Sequence, residues 1–121
     1  MAKGKHVIKL GLVEGRHEMP VSSYVFNEIS ADITDIATLN NLAYDNIMNI
    51  GGWDANDTEL WIGSTFAAEG YAPHECILHL YVFELTYVVI AVLNACRALW
   101  LDVILYHYDR DTDSYYPQQV L

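Results

Sequence analysis

Residues 76–110 read CILHLYVFELTYVVIAVLNACRALWLDVILYHYDR, and the fold follows from how this stretch divides. Its first apolar run, Ile77 to Phe83, has the length of a strand and stops at Glu84. Thr86 stands where a helix N-cap is expected, its hydroxyl placed to accept from amides one turn on. Tyr87 to Trp100 reads as helix, and a break at Asp102 separates it from a second apolar run, Val103 to Tyr108. Strand, helix and strand in succession predict a βαβ unit with parallel strands and a right-handed crossover. Ligands of such units gather beyond the carboxyl end of the first strand, against the helix N-terminus. The turn from Phe83 to Thr86 is therefore the first place to look for a site.

The helix is apolar almost all round. Val88, Val89, Ile90, Val92, Leu93, Leu99 and Trp100 surround nearly the whole cylinder and leave no wide face for water. Each such side chain gains roughly 1.5–3 kcal/mol on full burial. The expectation is a helix covered by the sheet on one side and by a second subunit on the other, with Val89 and Leu93 in that interface. Asn94 and Arg97, three residues apart, share a face. An amide inside so apolar a helix requires a specific hydrogen bond, to protein or to ligand.

Working outward, HVIKLGL at 6–12 reads as a first strand. GRHEMPV at 15–21 breaks at Gly15 and stops at Pro20, placing Arg16, His17 and Glu18 at a strand end or rim. Ser22 or Ser23 caps a short helical turn through Tyr24, Phe26 and Ile29. A longer helix is predicted from Asp35 to Asn49, capped by Asp32 or Thr34 and striped by Ile36, Leu39, Ala43, Ile47 and Ile50. Gly51 and Gly52 stop it. Residues 53–57 form a loop, 59–64 a short strand, and 66–71 a turn of helix before Pro73. The tail reads as a strand, a polar hairpin loop from Asp109 to Ser114, and a last extended segment to Leu121. The whole is one α+β domain, residues 1–121: a small mixed sheet with two main helices, a C-terminal βαβ unit and a hairpin tail.

Composition restricts the partners. The net charge is −10 with six basic residues, which disfavours duplex nucleic acid and anionic membranes. A small anionic ligand remains open if the few arginines converge. The apolar fraction of 53%, with fifteen aromatics, exceeds what a short chain hides in its own core and predicts a homo-oligomer. Cys76 and Cys96 read as buried, reduced thiols. The N-terminus MAKGKHVIKL lacks the apolar core of a signal peptide, and Tyr87 to Leu101 is too short to span a bilayer. A cytoplasmic protein is expected.

No dinucleotide, Walker, zincin or nucleophile-elbow motif is present, and neither a cofactor nor a metal is expected. His17 and Glu18 point to opposite faces of an extended chain. His107 faces away from Tyr106 and Tyr108, and reads as a core or interface histidine. His74 and His79 lack metal-ligand spacing. Arg110 lies among Asp109, Asp111 and Asp113, either as a surface ion pair or, positive charge being scarce, as an anion contact. Tyr106, Tyr108, Tyr115 and Tyr116 flank it, and rings beside a guanidinium can stack a purine and pair a phosphate.

Three segments together, GRHEMPV at 15–21, LYVFELT at 80–86 and YHYDRDTDSYYPQ at 106–118, resemble the phage-borne Thoeris anti-defence sponges of the first type. The resemblance implies a non-enzymatic protein that captures glycocyclic ADP-ribose signals made by bacterial TIR-domain enzymes. It also implies dimers that assemble into hexamers, and in some relatives cyclic trinucleotides held at separate sites. Such a ligand needs an aromatic face, a cation or helix end for its phosphates, and an amide for sugar or base. The candidate ligand-binding residues are accordingly Arg16, His17, Phe83, Thr86, Asn94, Tyr108, Arg110 and Tyr116. Phe83 and Glu84 are larger than a close phosphate approach wants, and Glu84 has the wrong sign, which shifts weight to Arg110. Two rivals remain: a ring nuclease cleaving a cyclic oligoadenylate with His17 or His107 as acid, and a non-catalytic interaction protein.

Overall fold

A computed structural model of the chain describes residues 5–15, 18–28, 35–53 and 67–121. The expected strand at 59–64, and the candidates Arg16 and His17, lie outside the described residues. Five strands form one mixed sheet in the order β2-β1-β3-β4-β5. They are β1 (His6–Val13), β2 (Tyr24–Phe26), β3 (Cys76–Val82), β4 (Asp102–Asp109) and β5 (Ser114–Gln119). The helices are α1 (Ile36–Gly51) and α2 (Thr86–Leu99). β1, β2, β3 and β4 run parallel, and β5 returns antiparallel to β4 through the turn at 110–113. The mixed sheet with two helices, the C-terminal βαβ unit and the hairpin are as the sequence predicts.

The core lies between one face of the sheet and the two helices, which pack on each other. Ile8, Leu10 and Leu12 of β1, Leu78 and Leu80 of β3, and Val103 and Leu105 of β4 enter it at every second position. α1 contributes Leu39, Ala43 and Ile47; α2 contributes Val88, Ala91, Val92, Ala95 and Cys96. Asp35, rather than Asp32 or Thr34, caps α1, accepting from the Ala37 amide at 3.1 Å and the Thr38 hydroxyl at 2.9 Å. These bonds hold its carboxyl below the usual aspartate range. Gly52, in the left-handed region at φ 81°, closes the helix by donating to the Met48 and Asn49 carbonyls.

Four expectations are corrected. Tyr24 to Phe26 is a strand, not a helical turn: its backbone pairs with Gly11 and Val13 of β1, and Tyr24 lies over the bare Cα of Gly11. Asp102 opens β4 instead of breaking the chain, because its carboxylate is held by Lys5 at 2.8 Å. The cap of α2 is Leu85, at φ 59° and without a side-chain bond, so Thr86 is the first helical residue. The α2 cylinder is also not apolar all round. Thr86, Tyr87, Ile90, Asn94, Arg97 and Ala98 are exposed along one flank, with Ile90 52% exposed. Helical spacing sorts Val88, Ala91, Val92, Ala95 and Cys96 to the opposite side. Asn94 and Arg97 therefore meet water, and Asn94 has no need of a buried partner. Val89 and Leu93, expected in an interface, are half-buried against the chain's own core.

Candidate functional site

At the carboxyl ends of β3 and β4 the chain forms a cleft of about 250 Å³, lined by Val82, Phe83, Glu84, His107, Tyr108, Arg110 and Tyr116. Its parts come from three local events. The turn leaving β3 is tight, with Glu84 at φ 60° and Leu85 at φ 59° in succession, and it sets Phe83 and Glu84 on one wall. β4 carries His107 and Tyr108 to the opposite wall, on opposite faces of the sheet. The β4–β5 register sets Tyr116 directly across from His107, and the hairpin turn presents Arg110.

The rings order one another. Phe83 meets Tyr108 edge-on at 5.6 Å between centroids. His107 tilts against Tyr116 at 5.3 Å. The His107 Nε2 lies 2.8 Å from the Gln118 Oε1, which fixes the imidazole plane against β5. The Tyr108 hydroxyl donates to Asp113 at 2.7 Å, and that bond raises its pKa. Arg110 is exposed and forms no ion pair with an Asp or Glu among the described residues, where the surface ion pair was one of its two expected roles. Its guanidinium is thus available to an anion entering the cleft, with Glu84 a negative charge among the same lining residues.

Of the eight candidates, Phe83, Tyr108, Arg110 and Tyr116 come together in this cleft. Thr86 follows the same turn at the start of α2 but is not among the cleft's lining residues. Asn94 lies two turns along α2 on its solvated flank, away from the cleft. His107 and Glu84 line the cleft although neither was a candidate ligand contact. The signal for His107 lay in the alternation that separates it from Tyr106 and Tyr108, combined with a hairpin register that sequence spacing alone does not supply.

A second hollow, of about 420 Å³ between β2 and α1, is lined by Ser22, Ser23, Asn27, Asn46 and Asn49 among others. Among the described residues it offers amides and hydroxyls but no cation, and the Asn46 side chain already donates to the Val25 carbonyl at 2.9 Å. Among the described residues no group of three or more His, Cys, Asp or Glu side chains is placed to hold a metal ion, and no helix is long and apolar enough to cross a membrane. Compared with protein-family models, curated proteins and solved structures, the chain matches none.

Proposed function

We propose that this chain binds a small cyclic nucleotide signal, of the glycocyclic ADP-ribose or cyclic trinucleotide kind, and sequesters it without cleaving it. The single observation that carries the reading is the meeting of Arg110 with Phe83, Tyr108 and Tyr116 in one cleft. An aromatic wall stacks the base, and a guanidinium that forms no ion pair among the described residues donates to a phosphate in bidentate fashion. A cleft of about 250 Å³ is smaller than the roughly 300–1,000 Å³ typical of pockets that enclose a drug-sized ligand, so the sugar and second phosphate overhang it. The reading places the protein in the cytoplasm, where such signals are made, and keeps its assembly with copies of itself.

One observation favours a second reading. His107 lines the same cleft as Arg110, the pair a ring nuclease would need. His107 would protonate the leaving oxygen while Arg110 stabilised the phosphorane. Sequestration is preferred because the His107 Nε2 is engaged by Gln118 and, among the described residues, no carboxylate is hydrogen-bonded to the ring to orient it as a catalytic acid.

Retention of ligand separates the readings. The protein is incubated with glycocyclic ADP-ribose, cyclic trinucleotides or cyclic oligoadenylates, filtered, then heated, and the released molecule is identified by mass. Intact ligand supports the sponge, a linear product supports the nuclease, and nothing retained leaves a protein whose surfaces serve assembly alone.

A further inference from the structure

On the sheet face away from the helices, residues 18–20 reach from β1 to the β4–β5 hairpin. The Met19 sulfur lies beside Gly11 of β1, and the Glu18 carbonyl accepts from the Tyr115 hydroxyl at 3.4 Å. Between this segment and the hairpin is a hollow of about 310 Å³, lined by Glu18, Met19, Pro20, Tyr108, Asp113 and Tyr115. Its size is within the roughly 300–1,000 Å³ of pockets that hold a small molecule. The rings hold one another in place. Tyr108 and Tyr115 are cross-strand partners with centroids 5.4 Å apart, and Tyr81 meets Tyr115 edge-on at 5.1 Å.

The side chains of this lining are electron-rich throughout. Glu18 and Asp113 bring carboxylates, and no Lys, Arg or His stands among the described lining residues. The Tyr108 hydroxyl spends its proton on Asp113 at 2.7 Å, and the Tyr115 hydroxyl spends its own on Glu18. Both phenols therefore offer lone pairs and ring faces, not donors. A phenol that donates to a carboxylate is polarised toward it, which deepens the negative face of its ring. Met19 adds a thioether and Pro20 a pyrrolidine edge. An anion is repelled by such a wall; a cation is attracted by the carboxylates and by the ring faces together.

We propose that this hollow binds a small methylated ammonium ion. Methylation matters because of what the walls can accept. A primary ammonium points three N–H groups outward and is strongly hydrated, whereas Asp113 already accepts from Tyr108 and much of the lining is ring, thioether and pyrrolidine carbon. A cation that presents methyl groups needs no acceptor at each of its corners. Its charge is spread over the carbons that touch the tyrosine faces, and little hydration is lost on entry. The hollow shares Tyr108 with the Arg110 cleft but has the opposite polarity, so the proposal does not rest on the nucleotide reading.

An NMR titration of the full chain, labelled in its tyrosine rings, tests it. Choline chloride at millimolar concentration should shift the Tyr108 and Tyr115 ring signals to saturation. Dimethylbutanol, in which carbon replaces the choline nitrogen, should bind at least about tenfold more weakly, and methylammonium should also bind more weakly. Asp113→Asn keeps an acceptor for Tyr108 and loses the charge; Tyr115→Leu keeps apolar bulk and loses the ring. Each should weaken choline binding at least about tenfold, and Asp113→Asn, in an exposed turn, should keep the thermal transition. Retention on phosphatidylcholine vesicles would identify a lipid headgroup as the source of the cation; binding of free choline alone would identify a soluble one. The proposal fails if dimethylbutanol shifts the rings as choline does, or if sodium, magnesium or calcium chloride at equal ionic strength reproduces the choline shifts. It fails equally if Asp113→Asn binds choline as the wild type does. Choline carries neither base nor phosphate, so its failure to bind leaves the nucleotide reading standing, and failed nucleotide retention leaves this one.

Discussion

His107 and Tyr116 face each other across the β4–β5 hairpin with 5.3 Å between ring centroids, one residue of each strand paired with the other in register. The pairing draws the turn at 110–113 back over the end of the sheet and brings Arg110 to the turn leaving β3. A strand-end cleft thereby acquires a cation that β3 and α2 do not supply.

Arg110 is the residue on which anion capture turns. Truncating it to alanine removes a charge-assisted hydrogen bond, about 1.5–3 kcal/mol, or roughly a ten- to hundredfold loss in affinity. Because the side chain is exposed and outside the core, stability and oligomeric state should stay at wild-type values. Calorimetric titration with the retained nucleotide decides it; an unchanged dissociation constant removes Arg110 from the site.

Glu84 and Leu85 occupy the left-handed region in succession, at φ 60° and 59°. Side chains other than glycine's cost roughly 1–2 kcal/mol there. Glu84→Gly should therefore raise unfolding stability by about 1 kcal/mol in urea, despite the greater freedom of glycine in the unfolded chain. It also removes the carboxylate that shares the cleft with Arg110, so an anionic ligand should bind more tightly. A lower urea midpoint would show that the Glu84 side chain holds the turn.

Gly11 is the second position where backbone space matters. A Cβ there would come within 2.4 Å of the Tyr24 ring and 2.9 Å of the Met19 sulfur. Gly11→Ala should cost about 1–3 kcal/mol, as overpacking in a filled site does. Combining it with Tyr24→Ala should recover part of the loss, since the clashing ring is gone. If the single variant unfolds at the wild-type midpoint, Tyr24 does not sit on β1.

The legible and illegible parts of the chain divide along physical lines. The β3-α2-β4 unit could be read because each element announces itself within a few residues: an apolar run of strand length, an apolar stretch of helix length, then a second apolar run. Both ends of α1 were marked by local chemistry at Asp35 and Gly52, though the cap fell one residue after Thr34. β2 could not be read, because three residues carry no periodicity and its pairing depends on the bare Cα of Gly11, a non-local fact. The exposed flank of α2 was hidden for a different reason: Tyr87 and Ile90 are apolar, and composition alone cannot say that Val88 and Val92 have already filled the core side. In the cleft, Phe83 was legible from the turn that leaves the first apolar run, and Tyr108, Arg110 and Tyr116 from their crowding around the hairpin loop. That these two turns meet, with His107 and Glu84 lining the same cleft, was not legible, since it depends on hairpin register and on a turn that uses left-handed residues without glycine.

The buried thiols give a pH signature. Burial pushes Cys96 up to about 12; burial, followed by the negative charge of Glu75, pushes Cys76 up to about 11. Both side chains are fully buried and form no disulfide. Below the ordinary thiol value of about 8.5 both states hold the proton, and the thiols add no pH dependence. Above it the unfolded chain loses protons that the folded chain keeps. Stability therefore falls as pH rises toward 11 and 12, by at most about 1.4 kcal/mol per pH unit for each thiol. Urea unfolding from pH 8 to 10.5 should show a steeper decline in the wild type than in a Cys76→Ala, Cys96→Ala double variant, comparing slopes so that the cavities cancel. At pH 8.5 iodoacetamide should leave both thiols unmodified in the native protein and alkylate both in urea. Rapid native alkylation of Cys96 would mean that α2 lifts from the sheet, and the packing of Val88, Val92 and Cys96 described above would be wrong.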